Sequence, residues 1–425
     1  MHGLVMMAVP RLYTPVWLRF GAAAWLLLMS AAFCVGAAAQ NQSAPPSEQD
    51  VPIAVLVDIT SGQVLYSRDA DRRFVPASIT KVMTMYHAFE LIEEGALDPA
   101  QVMTMRDETW REWSGEGSTM WINAGDQVTV DNLLTGIANI SANDGAIMLA
   151  EGHSGTVANW VAEMNGRARD LRMTNSHFGT PNGWPDEGYT FTTANDLVLL
   201  AEAMVTRHPE KFGRYIGLPG FRYNGIEQPN RDPMIGRLDG ADGIKTGYTN
   251  EAGFGYLGTA QRGGQRLVLV VAGVGRNAIR ARSARAFMEW GFSAFERQRL
   301  IERGETIGSA RVQGGGQRSV DLQTDRTVFV NVPSGQADNV RVSIEYEGPL
   351  RAPIGAGEEV ATLVIEVPEM EPARMPLLAA NTVSEAGLFA RIINGIAGWF
   401  GCCLLYTSPS PRDNIANLVC RLLRE

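Results

Sequence analysis

Cysteine is missing from Gln40 through Gly401; the four in the chain are Cys34, Cys402, Cys403 and Cys420. The body of the protein therefore has neither a disulfide framework nor a cysteine metal cluster, and its stability must come from a packed core. Histidine is scarce too. The five are scattered, with no H-E-x-x-H or H-x-x-x-H pair, so zinc-peptidase chemistry lacks its ligands and no metal or cofactor is expected. No run of like charge occurs, and the net charge of −9 has the wrong sign for a nucleic-acid footprint. The 45 glycines follow no three-residue period, which excludes a collagen-like chain, and 45% hydrophobic residues with 20% charged excludes disorder. At 425 residues the chain is too long for one ordinary core, so two or three domains are expected.

Only one apolar run is long enough to matter for a membrane, and it is N-terminal. Arg11 and Arg19 are the only charges ahead of residue 40; Phe20 to Gly36 is apolar, and Ala37-Ala38-Ala39 follows. This order of basic, apolar and small residues reads as a signal peptide over residues 1–39, cleaved after Ala39, rather than a retained membrane helix. Cys34 does not suit a lipoprotein site because Phe33 ahead of it is too large. Cleavage leaves a polar N-terminal segment, 40–50, and a mature charge of about −11.

The other end breaks from the rest. Cys403 to Asp413 (CLLYTSPSPRD) matches a forward reading of a transposase adapter used in sequencing libraries. Residues 402–425 are accordingly expected to be a read-through tail, with Gly401 or Cys402 the last native residue, and carry no weight in the fold reading.

Ile53–Asp58 and Gln63–Ser67 are β-rich runs around Thr60-Ser61-Gly62 and predict a hairpin. Pro76 opens a helical pattern ending near Gly95, with Val82, Met85, Phe89 and Ile92 at helical spacing. The stretch from Val130 to Arg207 is mostly helical, with a loop at Gly179–Gly188; strands are expected at Gly253–Thr259 and Arg266–Gly273, then a helix at Arg280–Phe292. Strands on either side of a helical insert imply an α+β layer, an antiparallel sheet flanked by helices. Near residue 300 the pattern changes to short alternating runs, Ser319–Leu322, Thr327–Val332, Val340–Tyr346 and Glu359–Val367, which predict a small β-sandwich. Leu388, Ile392, Ile396 and Phe400, with Trp399 alongside, form an amphipathic helical stripe, and Thr382-Val-Ser-Glu385 reads as its capping box. The expected divisions are a first domain at 51–297, a β-rich domain at 298–380 and an amphipathic membrane-surface helix at 381–401.

Three short motifs carry chemistry. In Ser78-Ile-Thr-Lys81, the i, i+3 spacing brings hydroxyl and amine to one helix face. A serine needs a base to attack at neutral pH, and a desolvated lysine is such a base. Ser141-Ala-Asn143 places a hydroxyl and an amide two apart on a turn, suited to proton relay and to holding a carbonyl. Lys245-Thr246-Gly247 offers a charge, a hydroxyl for a carboxylate, and a backbone open to close approach. Each alone also fits a bland reading: a capped helix, a polar turn, a solvated lysine.

Together and in this order the motifs resemble the penicillin-recognising serine enzymes. Arg73-Phe-Val-Pro-Ala-Ser-Ile-Thr-Lys81, Gly117-Ser-Thr-Met-Trp-Ile122, Tyr223-Asn-Gly-Ile-Glu-Gln-Pro-Asn-Arg231 and Asp242-Gly-Ile-Lys-Thr-Gly-Tyr-Thr249 are similar to the low-molecular-mass penicillin-binding proteins that are D-alanyl-D-alanine carboxypeptidases. The resemblance covers nearly the whole mature chain. It implies Ser78 as nucleophile, Lys81 as base, Ser141 and Asn143 in proton relay and amide binding, and Lys245 as an electrostatic group. It also implies Thr246 and Thr249 at the substrate carboxylate with Arg231 and Arg280, and an oxyanion hole from the N–H groups of Ser78 and Tyr248. Tyr248 stands where the family often has histidine, which leaves its backbone role intact and puts any side-chain role in question. The implied substrate is a peptidoglycan stem peptide ending in D-Ala-D-Ala, with β-lactams as covalent inhibitors. The implied place is the periplasm, peripheral on the outer face of the inner membrane. A serine β-lactamase is the rival enzyme; Asp186 and Glu187 offer a carboxylate, but the E-x-x-L-N context is absent. A catalytically inactive penicillin-binding scaffold is the non-enzymatic rival.

Overall fold

The computed structural model describes residues 44–335 and 339–387. The leader at 1–39, the amphipathic stripe at 388–400 and the tail at 402–425 lie outside the described residues. Within them no helix is long and apolar enough to cross a membrane.

Strands β1 (Ile53–Asp58) and β2 (Gln63–Arg68) form the expected hairpin. A 3-10 turn at Ala77–Thr80 then runs straight into α1 (Lys81–Glu93). The insert continues through β3 (Val102–Thr104), α2 (Asp107–Trp113), β4 (Gln127–Thr129), α3 (Val130–Asn139), α4 (Asn143–Ser154), α5 (Val157–Asp170), α6 (Ala194–Arg207) and α7 (Pro209–Tyr215). Thr129, Thr156 and Thr193 start α3, α5 and α6 by accepting a backbone N–H with their side chains. After a small hairpin, β5 (Gly220–Tyr223) and β6 (Ile226–Pro229), the chain returns to the main sheet as β7 (Ala241–Thr249), β8 (Gly253–Arg262) and β9 (Gln265–Val274), and ends in α8 (Asn277–Ser293). The strand order is β2-β1-β9-β8-β7, antiparallel throughout. The α+β expectation is borne out.

Both faces of this sheet are covered, which is why β1 and β9 read as unbroken apolar runs rather than alternating ones. Ile53, Val55, Val57, Val268 and Val270 pack with Val82, Met85 and Phe89 of α1 on the insert side. Ala54, Leu56, Leu267, Leu269 and Val271 pack with Ala284, Phe287 and Met288 of α8 on the other.

The remainder is β-rich. Strands β10 (Phe295–Ile301) and β13 (Val328–Pro333) pair with each other. The larger sheet holds β11 (Thr306–Gln313), β12 (Ser319–Gln323), β14 (Arg341–Glu345), β15 (Leu350–Arg351), β16 (Glu359–Glu366) and β17 (Ala373–Ala379), in the order β14-β16-β17-β12-β11-β15. One core unites the two sheets, including Ile301, Val330, Val320, Leu363 and Leu377. The expected capping box is a misreading. Thr382–Glu385 is not a helix start: Val383 is buried and bridges to Ile354, Glu385 bridges to Gly315, and Thr382 Oγ1 accepts from Ala356 N. The residue types fit a cap, but burial of Val383 decides for extended chain.

The two regions meet through a buried polar junction centred on Asn331 of β13. Its backbone N–H donates to Gln63 Oε1 at 2.6 Å and its carbonyl accepts from Gln63 Nε2 at 3.0 Å. Its side-chain amide donates to Asp58 Oδ2 at 2.6 Å and Ser61 Oγ at 3.0 Å. Gln265 Nε2 completes the group, 3.1 Å from Asp58 Oδ2 and 3.2 Å from Asn331 Oδ1. Asp58, Ser61, Gln63 and Asn331 are almost fully buried, so each polar atom depends on this pairing in place of water.

Candidate active site

Ser78 lies in the 3-10 turn and Lys81 is the first residue of α1. The pair therefore does not share an α-helical face as the spacing suggested; the 3-10 turn eclipses i and i+3 and brings them closer together. Ala77, just ahead, has a φ of +51°, a left-handed conformation that persists only when the surroundings impose it. Those surroundings are two glycines. A side chain at Gly183 would meet Ala77 O at 1.9 Å, and one at Gly247 would meet Pro76 O at 2.5 Å. The turn is gripped between the 182–184 loop and β7 with no room for a Cβ on either side.

Lys81 is fully buried. Its Nζ lies 3.1 Å from Ser78 Oγ, 2.7 Å from Asn143 Oδ1 and 2.6 Å from the carbonyl oxygen of Asn182. The Asn143 amide is oriented by its own Nδ2, which donates to Glu116 O at 2.9 Å, so Oδ1 faces the lysine. Two of the three partners can only accept; the third is a hydroxyl. A neutral amine satisfies all three, donating twice and taking the Ser78 proton into its lone pair. Burial holds the Lys81 pKa well below the ordinary lysine value, and the charges of Lys245 and Arg231 lower it further against a smaller opposing pull from Asp144. Asp144 is itself engaged by the backbone N–H groups of Met120, Ile122 and Gly145.

Ser141 precedes α4 with a φ of +65°, and Asn143 opens that helix. Lys245 sits within β7, buried below the surface, with Nζ 3.1 Å from Thr246 O. Burial, then the charges of Arg231 and Arg280, bring its pKa down to about 7.

Above the two lysines opens a cleft of about 780 Å³, lined by Ser78, Ser141, Asn143, Thr246, Gly247, Tyr248, Thr249, Arg231 and Arg280 among others. The structure thus gathers the residues of all three motifs with Arg231 and Arg280, Lys81 and Lys245 lying beneath. The Tyr248 ring stacks on Phe254 at 4.2 Å with its hydroxyl on Asn250, all three lining the cleft. Thr249 Oγ1 accepts from Ala252 N at 3.0 Å, which leaves its proton free to donate. Arg280 is nearly buried, over the Phe254 ring, with Nη2 2.6 Å from Asn277 Oδ1. Arg231 reaches across the mouth to Ser118 Oγ.

Asn182, Glu116 and Ser118 were not identified from sequence. The first two act through backbone carbonyls, which no residue type announces. Asp186 is occupied by Thr190, accepting from its N–H and hydroxyl, and neither Asp186 nor Glu187 lines the cleft. The carboxylate that a β-lactamase would use on its deacylating water is thus not at hand there.

A family model described as D-alanyl-D-alanine carboxypeptidase matches residues 39–275, and one described as penicillin-binding protein 5, C-terminal domain, matches residues 295–385. The chain is similar to the D-alanyl-D-alanine carboxypeptidase DacC of Escherichia coli, 32% identical over 378 residues, covering 87% of this chain and 94% of the relative. Among solved structures it is similar to penicillin binding protein 5 from Haemophilus influenzae, with a TM-score of 0.71 and 29% identity, covering 81% of this chain and 100% of that one. It is also similar to penicillin-binding protein D2 from Listeria monocytogenes in its ampicillin-bound form, with a TM-score of 0.53 and 28% identity, covering 59% of this chain and 100% of that one. With the first family model spanning more than half of its length, the chain belongs to the D-alanyl-D-alanine carboxypeptidase family of serine peptidases.

Proposed function

We propose that this carboxypeptidase removes the terminal D-alanine of peptidoglycan stem peptides through an acyl-enzyme on Ser78, and that penicillins label the same oxygen. The observation that carries this reading is the buried Lys81 amine, provided with two obligatory acceptors and the Ser78 hydroxyl. The scissile carbonyl enters above Ser78, with its oxygen toward the N–H groups of Ser78 and Tyr248. Lys81 takes the Ser78 proton as the oxygen attacks, and the proton passes by way of Ser141 to the leaving amine. The C-terminal carboxylate meets Thr246, Thr249, Arg231 and Arg280, while Asn143 holds the substrate amide and Lys245 adds charge. Water then releases the acyl group.

Purified protein should release D-alanine from a D-Ala-D-Ala peptide and take up labelled penicillin covalently. Ser78→Ala should lose both with an unchanged circular dichroism spectrum; label retained by the variant removes Ser78 from the role. Rapid penicillin turnover without D-alanine release would identify a β-lactamase, and stable labelling without release an inactive scaffold.

Export by the 1–39 leader and peripheral attachment to the outer face of the inner membrane belong to the same reading. Their support is the leader's pattern and the Leu388, Ile392, Ile396, Phe400 stripe. Deleting residue 386 onward should reduce binding to anionic vesicles; equal binding would show that the segment is no anchor.

A further inference from the structure

The cleft is cationic beyond what one carboxylate calls for. Arg231, Arg237 and Arg280 all line it, in a chain whose net charge is −9. Among the described residues the one acid in the lining is Asp232, and its carboxylate is already engaged by the N–H groups of Met234 and Ile235 and by the Tyr256 hydroxyl. Arg280 is held by Asn277, and Arg231 by Ser118. Arg237 is different. It is exposed, and no hydrogen bond or ion pair among the described residues engages its side chain. Acids lie close in sequence, yet Asp239 faces Arg262 and Asp242 pairs with Arg266.

Arg237 also has a defined end of the cleft. Met234 and Leu238 are buried in the cluster that contains Phe287 and Met288 of α8, and Arg285 of α8 donates to Pro233 O at 3.0 Å. The segment is thereby fastened to α8, and Asp232 near its start acts electrostatically on Arg280; Arg237 and Arg280 line the same cleft, whose Arg280 end is assigned above to the substrate's C-terminal carboxylate and so to the leaving residue. A leaving alanine has one charge, and Arg231, Arg280 and Thr249 already meet it. A cleft of about 780 Å³ is of a size that holds a drug-sized ligand, so a larger leaving residue fits.

We infer that Arg237 selects the leaving residue: it pairs with a second carboxylate on that residue's side chain, so that the enzyme prefers peptides whose C-terminal D-residue is acidic over those in which it is a neutral isostere. The inference rests on the carboxypeptidase reading above. The chemistry of the bond broken is unchanged; the Ser78 ester forms and the free D-amino diacid leaves with the proton on its amine.

Three acyl peptides separate the possibilities, ending in D-Ala-D-Ala, D-Ala-D-Glu and D-Ala-D-Gln. The native enzyme should have a kcat/KM for the Glu peptide on the order of fivefold above that for the Gln peptide, the scale of a solvent-screened ion pair, and the ratio should shrink as salt is raised. Arg237→Gln should bring the ratio to about one, and Arg237→Glu should invert it. A native ratio of one, or a ratio that survives Arg237→Gln, overturns the inference. So does an equal fall of all three substrates in Arg237→Gln, which would make Arg237 one more ligand of the C-terminal carboxylate. Failure to cleave any of the three would instead count against the carboxypeptidase reading.

Discussion

Lys81 Nζ and Asn143 Oδ1 stand 2.7 Å apart although 62 residues separate them in the chain. The bond decides where the amine keeps its protons. With Asn143 and Asn182 O as acceptors, the only direction left for a lone pair is toward Ser78.

Lys81→Ala removes the proposed base and leaves the Asn143 and Asn182 oxygens unpaired. The rate of penicillin labelling should drop by about 10²- to 10⁴-fold, the usual scale for general base catalysis. Stopped-flow labelling at saturating enzyme measures it directly, and acylation at the native rate would exclude Lys81 as the base.

Asn143→Asp is nearly isosteric but sets a carboxylate beside the amine. An opposite charge at this distance favours the ammonium form and raises the lysine pKa. The rising limb of the pH profile for labelling should therefore move to higher pH, with the high-pH plateau less affected than the rate at pH 7. An unmoved limb would mean that another group titrates there.

Lys245 titrates at about 7 in the folded protein, pushed down mainly by burial. Its charge should fade above that pH, giving acylation a falling limb, and Lys245→Arg should carry the limb upward because guanidinium stays charged. Folding responds with a definite sign. Between pH 7 and the ordinary lysine range the unfolded chain binds the extra proton, so this group adds stability as pH rises, by up to about 1.4 kcal/mol per unit. Chemical denaturation at pH 7 and pH 9, compared with Lys245→Met, isolates that slope.

Asn331→Ala should destabilise the protein by about 3 kcal/mol, because Asp58 loses its 2.6 Å donor, Ser61 Oγ its 3.0 Å donor and Gln265 Nε2 an acceptor inside the fold, while the backbone bonds to Gln63 remain. Penicillin labelling at 25 °C should persist, since Asn331 is not among the residues of the cleft. A wild-type unfolding midpoint in this variant would show that the junction contributes nothing.

The three motifs were legible because they are contiguous, and the structure brings S-x-x-K, S-x-N and K-T-G to one cleft. The main sheet was legible where burial on both faces made the apolar runs continuous, as in Ile53–Asp58. Three things were hidden. Asn182 works through a carbonyl, so its residue type carried no signal. The Gly183 contact depends on what folds against it, whereas the close approach at Gly247 was read from K-T-G and is found against Pro76 O. Thr382–Glu385 has the residues of a helix cap, and only the core of the β-rich region, by taking in Val383, makes it extended.

The Asn331 junction has a mechanical consequence. A hinge there would open only by breaking the five hydrogen bonds that Asn331 makes to Asp58, Ser61, Gln63 and Gln265. The β-rich region is therefore a strut rather than a tether. With that junction closed, the fold sets the distance from the Ser78 oxygen to the last described residues near 387. Whatever holds that end of the chain fixes the height at which the cleft works, so reach joins chemistry in deciding which peptides the enzyme meets.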